Sequence, residues 1–260
     1  MPLADAVCAF FFRHRLRGAI RLHQFLLRGR RIIVRSKHGL ALRLDPHDLV
    51  DAFVLRYGFY EEEVLEAALG RLRPGDVFWD IGANLGLHAL TVKLLRPDVA
   101  TYAFEPNPQA AALIRAASLR NALRADLVEI ALDAAAGTAD FYVHAGNTGR
   151  SSLHQWESDP ALPPIRVSTA TADGLVGAGR AAAPHVVKLD VEGNELHVLR
   201  GMRHLLNSAQ LHTVIFEDSA DDTSAVKQIL RDAGFALEQL DRKEPTQHNL
   251  ENYVARRERD

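Results

Sequence analysis

A glycine turn flanked by two acids, and a later group of acids around one lysine, are the parts of this 260-residue chain best suited to chemistry. The first stretch is Phe78-Trp79-Asp80-Ile81-Gly82-Ala83-Asn84-Leu85-Gly86, which follows an apolar, strand-like run and opens a helix-like one. In open α/β sheets, ligands bind beyond the carboxyl ends of the strands. Gly82 and Gly86 would let backbone approach a ligand with no Cβ in the way. Asp80 at the strand end supplies an acceptor for an ammonium group, such as that of an amino-acid cofactor, directly or through water. Asn84 is a candidate helix cap, and the helix N-terminus could meet a carboxylate. A dinucleotide site needs Gly-x-Gly-x-x-Gly, whereas this chain has Asp-x-Gly-x-x-x-Gly, a departure that favours a cofactor without a pyrophosphate.

The second acid, Glu105, ends the next apolar run in Ala103-Phe104-Glu105-Pro106-Asn107-Pro108. It falls about 20 residues beyond the glycine turn, where a carboxylate accepts hydrogen bonds from a ribose diol. The competing reading is an acid capping the helix that Pro108 would start. The third stretch, Lys188-Leu189-Asp190-Val191-Glu192-Gly193-Asn194-Glu195, follows another apolar strand.

These residues need a scaffold, and the patterning supplies one. From Val77 onward, strand-like and helix-like segments alternate. The strands are Val77 to Ile81, Ala100 to Phe104, Leu127 to Leu132, Thr138 to His144, Ile165 to Ser168, Pro184 to Leu189 and Leu211 to Phe216. A terminal antiparallel pair is expected from Phe235 to Leu240 and Tyr253 to Arg256. Helices are expected over Leu85 to Leu95, Pro108 to Arg120, Glu195 to Leu206 and Thr223 to Ala233. Such alternation predicts an α/β fold with a largely parallel sheet covered on both faces. Before it, Ala4 to Leu27 predicts one amphipathic helix, Arg31 to Leu44 a hairpin around Ser36-Lys37-His38-Gly39, and Leu49 to Leu72 a mostly helical segment. The chain thus divides into an N-terminal helical and hairpin extension, 1–56, and a main domain, 57–260.

Composition is that of a globular protein, with 47% hydrophobic and 25% charged residues and a formal net charge of -2. The single cysteine, Cys8, excludes a disulfide framework and a cysteine-rich zinc site, and suits a reducing compartment; a cytoplasmic location is expected. No run of about 18 apolar residues predicts a transmembrane helix. Nor does the start read as a signal peptide, because Val7 to Phe12 precede the arginines. Charge is nonetheless uneven: no acidic residue occurs from Val7 to Leu44, a stretch holding nine arginines and Lys37. That basic segment would dock on the main domain or present a basic surface to a membrane, a nucleic acid or an acidic partner.

Together, Asp80-Ile-Gly-Ala-Asn-Leu-Gly, Phe104-Glu-Pro-Asn-Pro and Lys188-Leu-Asp-Val-Glu-Gly-Asn-Glu resemble the FkbM family of methyltransferases. Tyr60-Glu61, Ala131-Leu132 with Gly137, Ser151-Ser152-Leu153, Val198-Leu199-Arg200-Gly201 and Glu217 add to the resemblance, which covers roughly Tyr57 to Glu217. Thr171-Ala172-Asp173-Gly174-Leu175 departs from the family's Leu-Asp-Asp/Glu-Leu-like segment. The resemblance implies a Rossmann-like class I methyltransferase fold with a seven-stranded sheet. It implies S-adenosyl-L-methionine as cofactor and transfer to an oxygen, on a sugar, glycan or natural-product hydroxyl. On this basis Glu61, Asp80, Gly82, Asn84, Gly86, Glu105 and Pro106 are assigned to the cofactor.

Methyl transfer is an in-line displacement, so positioning comes first, and a hydroxyl acceptor must also lose its proton. Asp190 is the leading candidate to orient or deprotonate the acceptor, with Lys188 beside it on the same strand face. A paired lysine would lower the acid's pKa and favour an orienting role. Glu192 and Gly193 are read as shaping the turn, Glu195 as a cap or ion-pair partner, and His197 as a helix residue. Asp190, Glu192 and Glu217 are also oxygen ligands of the kind magnesium accepts, although no metal is assigned. His144, His154 and Trp156 flank the polar loop where an acceptor could sit. A different class of function, a non-catalytic scaffold working through the basic N-terminal helix, stays open. No nucleic-acid partner is expected, and the oligomeric state is not readable.

Overall fold

The computed structural model describes residues 2–14, 16–144, 146–155, 163–241 and 250–257; Trp156 lies outside them. Two helices, α1 (Leu3–Arg13) and α2 (Ala19–Leu27), lead into a hairpin of β1 (Ile32–Arg35) and β2 (Ala41–Leu44), followed by α3 (Leu49–Tyr57) and α4 (Glu62–Leu69). The alternating part begins with β3 (Val77–Ile81), α5 (Leu87–Leu95), β4 (Ala100–Phe104), α6 (Pro108–Arg120) and β5 (Asp126–Val128). Next come β6 (Ala131–Leu132), β7 (Gly137–Phe141), β8 (Ile165–Ala170), α7 (Ala172–Gly177) and β9 (Val186–Leu189). The chain continues through α8 (Glu195–Arg200), α9 (Arg203–Leu206), β10 (Thr213–Ser219), α10 (Ala225–Asp232), β11 (Ala236–Gln239) and β12 (Leu250–Arg256).

Seven strands form one sheet in the order β11-β12-β10-β9-β3-β4-β5. Pairing is parallel from β10 to β5, and β12 runs antiparallel to both β10 and β11. All five residues of β3 are buried, which is why its sequence is apolar on both faces except at Asp80. The order reverses between β3 and β9: β4 and β5 lie to one side, β10 and β12 to the other. Such a switch point opens a crevice at the carboxyl ends of the strands. Ile81, Phe104 and Leu189 end their strands there in register, Ile81 paired with both of the others.

The two sheet faces feed two cores. Phe78, Val186, Ile215 and Val254 face the cluster containing α3, α4, α5 and α6 residues and the N-terminal elements. Val77, Trp79, Ile81, Val187, Leu189 and Phe216 face the cluster with α7 to α10. Adjacent strand residues thus divide between layers with a period of two. The N-terminal elements are part of the first core: Cys8 is fully buried, and buried Asp5 accepts the Ile33 N–H at 3.4 Å.

Three expected helices are in fact broken, two of them at residues with left-handed backbone. The expected Ala4 to Leu27 helix is α1 and α2, interrupted at Gly18 with φ +83°. Leu49 to Leu72 splits into α3 and α4 because Gly58 and Glu61 both take left-handed backbone. Glu195 to Leu206 becomes α8 and α9 around Gly201, where a Cβ would lie 2.1 Å from the Asp133 carbonyl oxygen. The run Leu127 to Leu132 also divides, since β5 belongs to the large sheet and β6 pairs with β8 in a three-stranded one. Gly201→Ala must push backbone against backbone and is expected to cost about 3 kcal/mol in urea unfolding. Gly177→Ala, with nothing within 4 Å of the added carbon, serves as the near-neutral control.

Candidate active site

A cavity of about 320 Å³ opens at the switch point. One end is formed by the turns after β3 and β4: Gly82 to Leu85 and Glu105 to Asn107 all line it, with Ile130, Leu132 and Phe141 as apolar wall. The other end is polar, with Tyr60, Glu61, Lys188, Asp190, Glu192 and Glu217.

Glu105 anchors the first end. It is 5% exposed, its Oε2 accepts the Asn84 N–H at 2.7 Å, and its Oε1 accepts the Asn107 N–H at 2.8 Å. Burial pushes its carboxyl up to about 7, the two N–H groups pull it back, and nearby Asp80 raises it further. Capping of α6 is left to Asn107, whose side chain accepts from Gln109 N. Glu105 is therefore not the helix cap. Asn84 does not cap α5 either; it takes left-handed backbone (φ +49°), and Gly86 is the N-cap residue.

Two of the expected contact residues look inward. Asp80 is fully buried and does not line the cavity; its Oδ2 accepts the Ala89 N–H of α5 at 2.8 Å, and its Oδ1 is 3.5 Å from Lys188 Nζ. Gly86 has φ +78°, and a Cβ there would press on Ile114 and Leu90 of the core. Gly82 does line the cavity, but its hydrogen is demanded by protein: a Cβ would lie 1.8 Å from the Asp190 carbonyl oxygen.

At the polar end, Lys188 is 5% exposed and its Nζ donates to Asp190 Oδ2 at 2.9 Å. Burial alone would depress the ammonium, but Asp190, Asp80 and Glu61 outweigh it and hold Lys188 above its ordinary value. Asp190 is thus the ion-paired acid, and Glu217 is not the partner of this lysine. Glu61 begins α4 with left-handed backbone, and burial together with Asp190 raises its carboxyl despite the opposing pull of Lys188. Glu192, read from sequence as a turn residue, both shapes the turn (φ +53°) and lines the cavity. Burial, then Asp190, Glu217, Glu195 and Glu61, push its carboxyl up, with no cation among the leading influences. Glu195 instead holds the turn, accepting the Val191 and Gly193 N–H groups. Among the described residues, no three His, Cys, Asp or Glu side chains are arranged to hold a metal ion.

The remaining wall comes from the loop that holds Ser151-Ser152-Leu153 and from residues before it that no motif singled out. Asn147 to Ser151 and Leu153 line the cavity, whereas His144 and His154 do not. Asp48, which caps α3, accepts the Thr148 N–H at 2.7 Å, and Leu49 and Val50 join the lining. Buried Ser152 donates to the Glu192 carbonyl at 2.6 Å, clamping this loop to the turn after β9.

The sequence model of the methyltransferase FkbM domain matches residues 80–237, more than half of the chain. The protein belongs to the FkbM methyltransferase family. It is 29% identical over 201 residues to the hexuronic acid methyltransferase AglP of Haloferax volcanii, covering 77% of this chain and 80% of AglP. Over a shorter stretch of 83 residues, 32% of each chain, it is 36% identical to the 31-O-demethyl-FK506 methyltransferase FkbM of Streptomyces tacrolimicus. The METTL16 methyltransferase domain superposes with a TM-score of 0.51 at 12% identity, covering 97% of this chain and 78% of that one. The Rossmann-like class I fold expected from the motifs is therefore the fold observed, and membership of an enzyme family favours catalysis over a scaffold role.

For this FkbM-family protein the raised Glu105 has a stability consequence. A carboxyl whose folded pKa lies above its unfolded value binds more protons when folded, so stability falls as pH rises through about 4.5 to 7. Glu105→Gln removes that contribution. The difference in urea midpoint, variant minus wild type, is expected to grow from pH 5 to pH 8 in the free protein. A difference that stays flat over that range would contradict the buried, titrating carboxyl.

Proposed function

We propose that this methyltransferase moves the methyl group of S-adenosylmethionine to a hydroxyl oxygen of a carbohydrate acceptor. The observation that carries the reading is one cavity with a buried carboxylate at its apolar end and an acidic cluster around a single lysine at the other. The donor set fits the cofactor. Glu105 spends one hydrogen bond per oxygen on backbone, which leaves lone pairs for a vicinal diol, and the Ile130, Leu132 and Phe141 wall suits a flat heterocycle. The volume is also within the range of small-molecule sites. When bound, the cofactor supplies a methyl group activated by a sulfonium.

The protein's own residues then have separable tasks. Asp190, held by Lys188, accepts a hydrogen bond from the acceptor hydroxyl and fixes its approach. The ion pair holds the Asp190 carboxylate in one place, which suits orientation of the acceptor. Glu192, raised by burial and by its acidic neighbours, is the better proton acceptor. An acceptor hydroxyl held there would be aligned in line with the methyl group that the sulfonium would supply. The hydroxyl proton passes to Glu192. Carbohydrate is favoured as acceptor because AglP, the relative matched over most of both chains, is a hexuronic acid methyltransferase.

Incubation with S-adenosylmethionine and a panel of uronic acid and neutral glycosides should give a product heavier by one methylene. Turnover only of non-carbohydrate hydroxyls would sink the acceptor assignment. With the active acceptor, Asp190→Asn is expected to lower kcat about hundredfold by loss of orientation while keeping the pH profile. Glu192→Gln is expected to lower it by about 10²–10⁴ and to abolish the rise of rate with pH. If Asp190→Asn is the variant that flattens the profile, the two roles are reversed.

A further inference from the structure

We propose that the outer face of α1, α2 and the turn between them is a docking surface for an anionic lipid bilayer. The inner faces of both helices are already used. Cys8 and Leu27 are in the core, and buried His23 makes a 2.7 Å hydrogen bond to the Arg30 carbonyl. These helices are therefore fixed on the domain, and what they turn outward is not waiting for the core. Outward, Leu3 is 81% and Phe25 82% exposed, with Phe10, Leu16 and Ile20 also exposed.

On α1, Leu3, Val7, Phe10 and His14 recur at helical spacing along one side, and the Phe10 and His14 rings lie 4.3 Å apart. On α2, Ile20 and Phe25 flank exposed Arg21, with Arg28 closing the helix. Arg13 and Arg17 are exposed in and beside the same turn. None of these four arginines has a carboxylate partner among the described residues, and the sequence offers no acid from Val7 to Leu44. The charge of this face is thus uncompensated within the protein.

Cations mixed with protruding aliphatic and aromatic side chains, without acids, are what an anionic bilayer interface complements: the apolar groups enter the acyl boundary and the arginines stay at the headgroups. Nucleic acid would meet the arginines through phosphate, but the exposed aliphatic Leu3, Leu16 and Ile20 beside them offer no face for a base to stack on. Among the described residues no helix is long and apolar enough to cross a membrane, so the contact is peripheral.

The test is co-sedimentation of the full chain with phosphatidylcholine vesicles, with and without phosphatidylglycerol. Binding is expected only with phosphatidylglycerol and should weaken as salt is added. Arg17→Gln and Arg21→Gln are each expected to weaken it about fivefold, and Phe25→Ser about tenfold. All three positions are exposed, so the variants should keep wild-type thermal unfolding. The proposal is overturned if folded wild type does not sediment with anionic vesicles, or if its binding is indifferent to all three substitutions. It is also overturned if Phe25→Ser instead dissolves a dimer present without lipid, which would assign the face to a second copy of the chain.

Discussion

The site is organised around one buried ammonium. Lys188 on β9 lies between Asp80 on the neighbouring strand β3 and Asp190 at its own strand's end. An isolated charge at that depth would cost several kcal/mol, and two carboxylates there without a cation would repel each other. Placed together, the three groups tie the two central strands at the switch point. Asp80 extends the tie into α5 through the Ala89 N–H, and the Asp190 carbonyl packs against Gly82 at a distance that tolerates no side chain. The turn after β3 at the apolar end of the cavity and the turn after β9 at its polar end are thus mechanically one piece.

That arrangement divides the carboxylates by environment. Asp190 has the lysine to itself at hydrogen-bond distance, which suits a fixed acceptor of hydrogen bonds. Glu61 and Glu192 stand beyond it among other acids and are pushed upward, which suits exchange of a proton near neutrality. Glu105, at the other end of the cavity, is held by backbone N–H groups from two different turns, which fix its position. The N-terminal elements complete the enclosure. Asp48 fixes Thr148, Leu49 and Val50 form wall, and Ser152 locks the same loop onto Glu192.

Much of this was legible in the sequence because local rules acted alone. Continuous apolar runs gave the buried parallel strands, and acids at the ends of such runs marked Glu105 and Asp190 correctly as cavity residues. Lys188 two residues before Asp190 on one strand had to share its face. What was not legible depended on neighbours far along the chain. Gly82 reads as room for a ligand, but the carbonyl it admits belongs to Asp190. Asp80 reads as a ligand contact, yet the buried lysine more than a hundred residues later turns it inward. Glu192 reads as a turn residue, which it is, but its place on the cavity wall with Glu217 of β10 depends on the pairing of β9 with β10. The helix breaks at Gly18 and Gly58 were hidden because apolar periodicity continues through them. Asp48 carries no motif of its own, and the motif that holds Ser152 says nothing of its bond to the Glu192 carbonyl.

The most direct test of the account is calorimetric titration of S-adenosylmethionine into wild-type protein and into Glu105→Ala, with unfolding of both followed in parallel. The account requires saturable binding to wild type and a loss of about tenfold or more in the variant while its fold is retained, since hydrogen bonds to a charged group are broken. Equal affinity in the two proteins, or no binding to folded wild type, would contradict it.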